Sequence, residues 1–122
     1  MRVAGFGFRS SADVDALHDA LRAAGGVVGL TALATVSEKA SAGPLIALAR
    51  QLGLPIKAIS TDAMANIKTP TQSDRIDAMF GVGSLAEATA LAAAGSDARL
   101  VSHRSVSKNG MATAAIAEGS GE

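Results

Sequence analysis

Gly81-Val82-Gly83-Ser84-Leu85-Ala86-Glu87-Ala88, continuing through alanine-rich sequence to Gly95, carries the clearest helix start in the chain. Its two glycines allow a tight turn and leave the backbone bare of side chains. Ser84 and Glu87 stand at the spacing of a capping box, serine as N-cap and glutamate at N3, so a helix begins here. A helix start leaves N–H groups unpaired at the positive end of the macrodipole, and bare backbone beside it can seat a carboxylate or phosphate. The same residues also fit a plain tight loop between a buried element and a helix.

Upstream of this stretch, Ser73 caps a turn or two through Arg75, Ile76, Met79 and Phe80. Lys68-Thr69-Pro70-Thr71-Gln72-Ser73 is the most polar and least patterned segment of the chain and reads as a mobile loop. Ser60 or Thr61 caps a brief helix through Ala63, Met64 and Ile67. Downstream, the helix opened by Ser84 is expected to bury Leu85, Ala88, Leu91 and Ala92 and to end at Gly95. Arg99 to Ser107 and Met111 to Ala117 then have strand character on either side of Lys108-Asn109-Gly110. Asn-Gly between two such runs predicts a hairpin with a type I′ turn, which needs positive φ at both central residues.

The N-terminal half alternates strands and helices. Arg2 to Phe8 is a short, apolar, glycine-punctuated strand that runs into a loop carrying Arg9. Ser10 with Asp13 gives a second N-cap signal, and Val14, Leu17, Leu21 and Ala24 trace one helical face before Gly25-Gly26 stops it. His18 beside that stripe reads as a surface or half-buried histidine. Leu30 to Thr35 is expected as the second strand, with Ser37-Glu38-Lys39 leaving its end. Pro44 opens a helix whose inward residues are Leu45, Ile46, Leu48, Ala49 and Leu52, and Gly53 ends it. Leu54 to Ile59 supplies a third strand. Strands separated by helices, then a hairpin, predict an α/β fold of three layers, α/β/α, around a mixed, mostly parallel sheet closed by a C-terminal β-hairpin. In such sheets ligands sit beyond the carboxyl ends of the strands, which would place Arg9 and Lys39 at one edge.

The 122 residues fit one domain, expected over 1–117, with 118–122 as a disordered tail. Hydrophobic residues make up 48% and aromatics 2%, so the core must be built from small aliphatic side chains that let helices lie close on the sheet. Eleven basic residues balance eleven acidic ones, which argues against nucleic acid as a partner. Without cysteine there is no disulfide, thiolate metal site or thiol nucleophile. No membrane span or export signal is recognisable, so a cytoplasmic protein is expected.

The chemistry-bearing patterns are few. Gly5-Phe6-Gly7 begins a dinucleotide-binding fingerprint, but Ser10 stands where its third glycine would be. There is no Gly-x-x-x-x-Gly-Lys-[Ser/Thr] loop and no Gly-x-Ser-x-Gly elbow. His18 and His103 lie in unrelated segments, and neither a metal nor a cofactor is expected. What remains is a set of glycine-opened loops and the cations Arg9, Lys39, Lys68, Arg104 and Lys108, a combination suited to a small polyanion.

Val3-Ala4-Gly5-Phe6-Gly7-Phe8-Arg9, Leu33-Ala34-Thr35-Val36-Ser37-Glu38-Lys39, the Gly81 to Ala88 stretch and Ala112-Thr113-Ala114-Ala115-Ile116-Ala117, taken in that order, resemble the cobalamin-biosynthesis family of CobE and the C-terminal domain of CbiG. The resemblance implies a corrin precursor, a precorrin, as ligand: its acetate and propionate carboxylates suit helix N-termini, bare glycine backbone and basic side chains. It further implies ligand-binding positions at Gly5, Gly7, Arg9, Lys39, Gly81, Gly83, Ser84 and Glu87, and more loosely at Arg104. CbiG-like proteins open the lactone ring of a cobalt-precorrin and release a two-carbon fragment. CobE-like proteins stand alone in the aerobic pathway, and because the resemblance covers a CobE-sized chain it implies the aerobic association. Where many CbiG-like members carry an acidic pair after the lysine, this chain has Ser41-Ala42-Gly43, which speaks against acid/base catalysis in that loop. The resemblance supports two readings: a precorrin-binding, hydrolase-like component, or a non-catalytic carrier that passes intermediates between pathway enzymes. Other enzymes of the pathway are then candidate partners, and a homo-oligomer is left open.

Overall fold

In the computed structural model, which describes residues 1–121, the strands form one five-stranded sheet in the order β3-β2-β1-β5-β4. Central strand β1 (Arg2–Phe8) pairs in parallel with β2 (Ala32–Val36), and β2 pairs in parallel with β3 (Ile56–Ile59). On its other side β1 pairs antiparallel with β5 (Ala112–Glu118), which pairs antiparallel with β4 (Arg99–Val106). Two reversals restore the direction, so β4 runs with β1 to β3 and β5 alone opposes them. The sheet is open, mixed and mostly parallel, as the alternation of strands and helices predicts.

Helices cover both faces. Helices α1 (Val14–Ala24) and α2 (Gly43–Leu52) pack with Ala4, Phe6, Leu33 and Ile116 on one side. On the other, α5 (Leu85–Ala94) packs with Val3, Ala34, Val36 and Ala117, joined by Met64 of α3 (Thr61–Met64) and Phe80 of α4 (Asp74–Phe80). Side chains alternate across a strand, so β1 feeds both cores by turns. Gly5 faces α5, and a Cβ there would fall on the Ala86 carbonyl oxygen and the Ala90 nitrogen. The missing side chain lets the helix backbone rest on the strand. Leu85 to Ala90 are buried around the whole first part of α5, the condition of a helix enclosed by neighbours rather than laid on a surface.

Several local expectations are corrected. Leu30 lies in a turn and β2 starts at Ala32. Asp13, not Ser10, caps α1, its Oδ1 accepting from Ala16 N at 2.9 Å. Leu91 and Ala92 of α5 are only partly buried, while Ala86, Glu87, Thr89 and Ala90 take the inward positions. In the hairpin, Gly110 has φ 73° but Asn109 is not in the positive-φ region, so the turn is not type I′. Instead Asn109 Oδ1 accepts from Ser107 Oγ and Met111 N, and Ser107 N donates to Ala112 O. The expected mobile loop 68–73 is tied down: Thr69 Oγ1 donates to Thr71 O, Gln72 Nε2 to Thr69 O, and Ser73 N to Gly83 O. The stretch read as a disordered tail begins inside β5, where Glu118 pairs with Arg2 at 2.9 Å and Arg99 at 3.5 Å. Gly119, Ser120 and Gly121 then bond by backbone N–H to Met1, Ser96 and Ala94, and residue 122 lies outside the described residues. Among the described residues no single helix is long and apolar enough to cross a membrane.

Candidate functional site

The carboxyl ends of β1 and β2, the turn of the β4–β5 hairpin and the N-terminus of α5 meet at one end of the sheet. Gly7 lies against Leu85 and Ala86, whereas Gly5 lies against Ala86 and Ala90, so α5 runs opposite to β1 and brings its N-terminus to the end where β1 stops. Ser84 caps that helix, its Oγ accepting from Glu87 N at 3.3 Å. Here the surface encloses a cavity of about 300 Å³. Arg9, Lys39, Arg75 and Arg104 line it, with hydroxyls from Ser73, Ser84 and Thr113, and no acidic residue shares the lining. Phe8, Ile76, Leu85, Val106 and Met111 supply its apolar walls.

Four cations around one cavity repel one another, and the effect shows at Lys39. Partial burial pushes its ammonium below the ordinary lysine range, the Arg75 guanidinium pushes it further the same way, and Glu38 opposes both. Lys39 Nζ donates to the Phe8 carbonyl at 2.8 Å and sits 5.1 Å from the centre of the Phe8 ring, so the strand end itself holds the amine in place. Among the described residues, no ion pair involves the side chains of Arg9, Arg75 or Arg104. The cavity is an electropositive hollow with apolar side chains in its lining.

Of the positions expected from sequence, Gly7, Arg9, Lys39, Ser84 and Arg104 come together in this lining. Gly5, Gly81, Gly83 and Glu87 stand outside it. Gly5 serves helix–sheet packing, Gly81 ends α4, and a Cβ on Gly83 would run into Thr71 O and Gln72. Glu87 does not close a capping box. Its side chain is fully buried and accepts from Thr71 N at 3.0 Å, Thr71 Oγ1 at 2.9 Å and Arg104 N at 2.8 Å. Lys68 and Lys108, which the sequence offered as cations, are exposed and lie outside the lining. His18 bonds Gln51 Oε1 at 2.6 Å, joining α1 to α2. No group of three or more His, Cys, Asp or Glu among the described residues could hold a metal ion.

Arg75 is the site residue that sequence reading missed. One signal was available: an arginine in the first turn of a helix opposes the macrodipole, and such a placement needs another reason. Thr113, whose Oγ1 donates to Gly7 O at 3.2 Å, was hidden as an ordinary strand threonine.

The family described as cobalamin synthesis G C-terminus matches residues 2–117. CobE, a protein of the cobalamin (vitamin B12) biosynthetic pathway, has a similar structure at TM-score 0.83 and 26% identity, over 100% of this chain and 92% of that one. The cobalamin biosynthesis protein chiG from Agrobacterium tumefaciens str. C58 is similar at TM-score 0.72 and 32% identity, over 98% and 99% of the two chains. A putative cobalamin biosynthesis protein G homolog from Sulfolobus solfataricus shares the fold at TM-score 0.69 and 15% identity, over 95% of this chain and 36% of that one. No curated protein sequence matches the chain. With the family match spanning nearly the whole sequence, the chain belongs to the cobalamin synthesis G C-terminus family and is a cobalamin biosynthesis protein of the CobE/CbiG type.

Proposed function

We propose that the protein binds a polycarboxylate corrin precursor at the cavity formed by Arg9, Lys39, Arg75 and Arg104. The observation that carries this reading is four basic side chains and no acid around one hollow, in a chain whose total charge is balanced. Each carboxylate held by an arginine or lysine gains a charge-assisted hydrogen bond, and the aliphatic wall covers part of the macrocycle. Uroporphyrin, a tetrapyrrole with a carboxylate on every peripheral side chain, serves as a stable probe in an absorbance titration. Lys39→Ala and Arg9→Ala should each weaken its binding by about 1–3 kcal/mol, as loss of a hydrogen bond to a charged group does. Cyanocobalamin, whose ring side chains are amides, should bind poorly. Unchanged uroporphyrin affinity in both variants would remove the site.

A second reading concerns the step after binding. A cavity of about 300 Å³ stands at the small end of the range that encloses drug-sized ligands, so it grips one carboxylate-bearing edge and leaves the rest of a macrocycle outside. That favours a carrier from which a second pathway enzyme takes the free edge. Lactone opening with release of a two-carbon fragment is the alternative outcome at the same cavity. Turnover of a purified precorrin lactone by this protein alone excludes the carrier; binding without turnover excludes the hydrolase.

A further inference from the structure

One buried carboxylate, that of Glu87, bonds the backbone of one cavity arginine and the segment that leads to a second. Strands β4 and β5 do not stay in register: the pairing steps from Leu100↔Ala117 to Ser102↔Ile116 and from there to Ser105↔Ala114, so β4 carries an extra residue at each step. Such a bulge frees a backbone N–H from the ladder and turns a side chain to a new direction. At the second irregularity the free donor is Arg104 N, and it bonds Glu87 Oε2 at 2.8 Å while the Arg104 side chain lines the cavity. The same oxygen accepts from Thr71 Oγ1 at 2.9 Å, and Oε1 accepts from Thr71 N at 3.0 Å. Thr71 precedes the Ser73 cap of α4, whose first turn carries Arg75. Glu87 itself lies in the first turn of α5, where the helix dipole favours a negative charge, and it has no exposed surface. Its partners come from positions 71 and 104, on opposite sides of it in sequence.

We infer that Glu87 is a positioning residue of the binding site: its carboxylate sets where Arg75 and Arg104 stand without touching the ligand. This rests on the reading of the cavity as the carboxylate site. The bonding explains why an acid sits fully buried behind a cluster of cations yet outside the lining. It holds the bulge of β4 and the segment before α4 to the same helix start, so the spacing of the two guanidinium groups is fixed before a ligand arrives. A glutamine keeps the shape but offers one acceptor oxygen and an N–H₂ that faces N–H donors.

The test is a cycle of variants titrated with uroporphyrin, with thermal unfolding followed in parallel. Glu87→Gln should weaken binding about tenfold, near 1.4 kcal/mol, in protein that is still folded at the assay temperature. In an Arg75→Ala/Arg104→Ala background the same substitution should change affinity by about twofold or less, because effects carried through shared partners do not add. The amide proton of Arg104 should also move upfield in Glu87→Gln without any ligand. Should Glu87→Gln not fold, Thr71→Val, which removes one bond to the same carboxylate, takes its place in both backgrounds with an expected loss of about threefold. Unchanged affinity in the single variant, or an equal loss in both backgrounds, overturns the positioning role while Arg104→Ala alone still reports on the site. If Arg9→Ala and Lys39→Ala also leave binding intact, the fault lies in the underlying reading instead.

Discussion

Lys39 is the residue at which the electrostatics of the cavity can be read most directly. Its pKa in the folded chain lies below that of an unfolded lysine, from burial first and from Arg75 second. The sign of the consequence is fixed by proton uptake. As pH falls below the ordinary lysine range the unfolded chain takes the proton more readily, so Lys39 costs stability at neutral pH and the cost disappears as pH rises through that range. Lys39→Met, with no charge to bury, should therefore be at least as stable as the parent at neutral pH in urea unfolding and should lose the alkaline gain. Anion binding works the other way. A bound carboxylate favours the ammonium, so affinity for uroporphyrin should decline as pH rises toward the lysine range, beginning below where an unperturbed lysine would titrate. Lys39→Arg should flatten that decline, since guanidinium does not titrate there. A decline at the same pH in parent and Lys39→Arg would place the titrating group elsewhere. Arg9 and Arg104 are legible in the sequence as candidate anion-binding cations, but the bond from Lys39 to the Phe8 carbonyl is not, because it joins residues 31 apart in sequence.

At the scale of elements, small side chains decide the geometry. Helix α5 lies close on β1 because Gly5 presents no side chain to Ala86, Thr89 and Ala90. Gly5→Ala should push the helix off the strand and cost about 1–3 kcal/mol in chemical denaturation, the usual penalty for overpacking. Because α5 also carries Ser84 and Leu85 of the cavity, that variant should lose affinity together with stability. Asp13→Ala should cost about 1 kcal/mol as a lost N-cap. A Gly5→Ala protein as stable as the parent would show that the helix does not need the close approach. The strands, α1, α2, α5 and the hairpin were readable from apolar periodicity and caps, because those are local signals. What is not readable arises from distance: the sequence places Glu87 in its own helix cap, yet its bonds reach Thr71 and Arg104. The loop before α4 looked mobile for the same reason, since its anchor lies in another element. The β4 bulge leaves no mark in a strand of alternating exposure.

At the scale of the molecule, the fold gathers four cations from four separate segments while the net charge stays at zero. Acidic side chains are spent elsewhere, as in the Arg2–Glu118–Arg99 cluster at the edge where β1 begins and β5 ends. Binding that depends on such a local field should weaken with salt. Between about 0.1 M and 1 M ionic strength the screening length falls from about 10 Å to about 3 Å, so uroporphyrin affinity should drop about tenfold or more. Salt-independent binding would point to the aliphatic wall as the main source of affinity. That Arg9 and Lys39 share one end of the sheet was expected from the α/β pattern; the order of the strands and the neighbours at that end required the fold.

The most direct measurement is a map of backbone amide shifts as uroporphyrin is added to the isotope-labelled protein. The largest changes should fall at Arg9, Lys39, Arg75, Ser84 and Arg104 and along the turn before Ala112. Changes centred instead on Arg2, Arg99 and Glu118 at the opposite end of the sheet would contradict the proposed site.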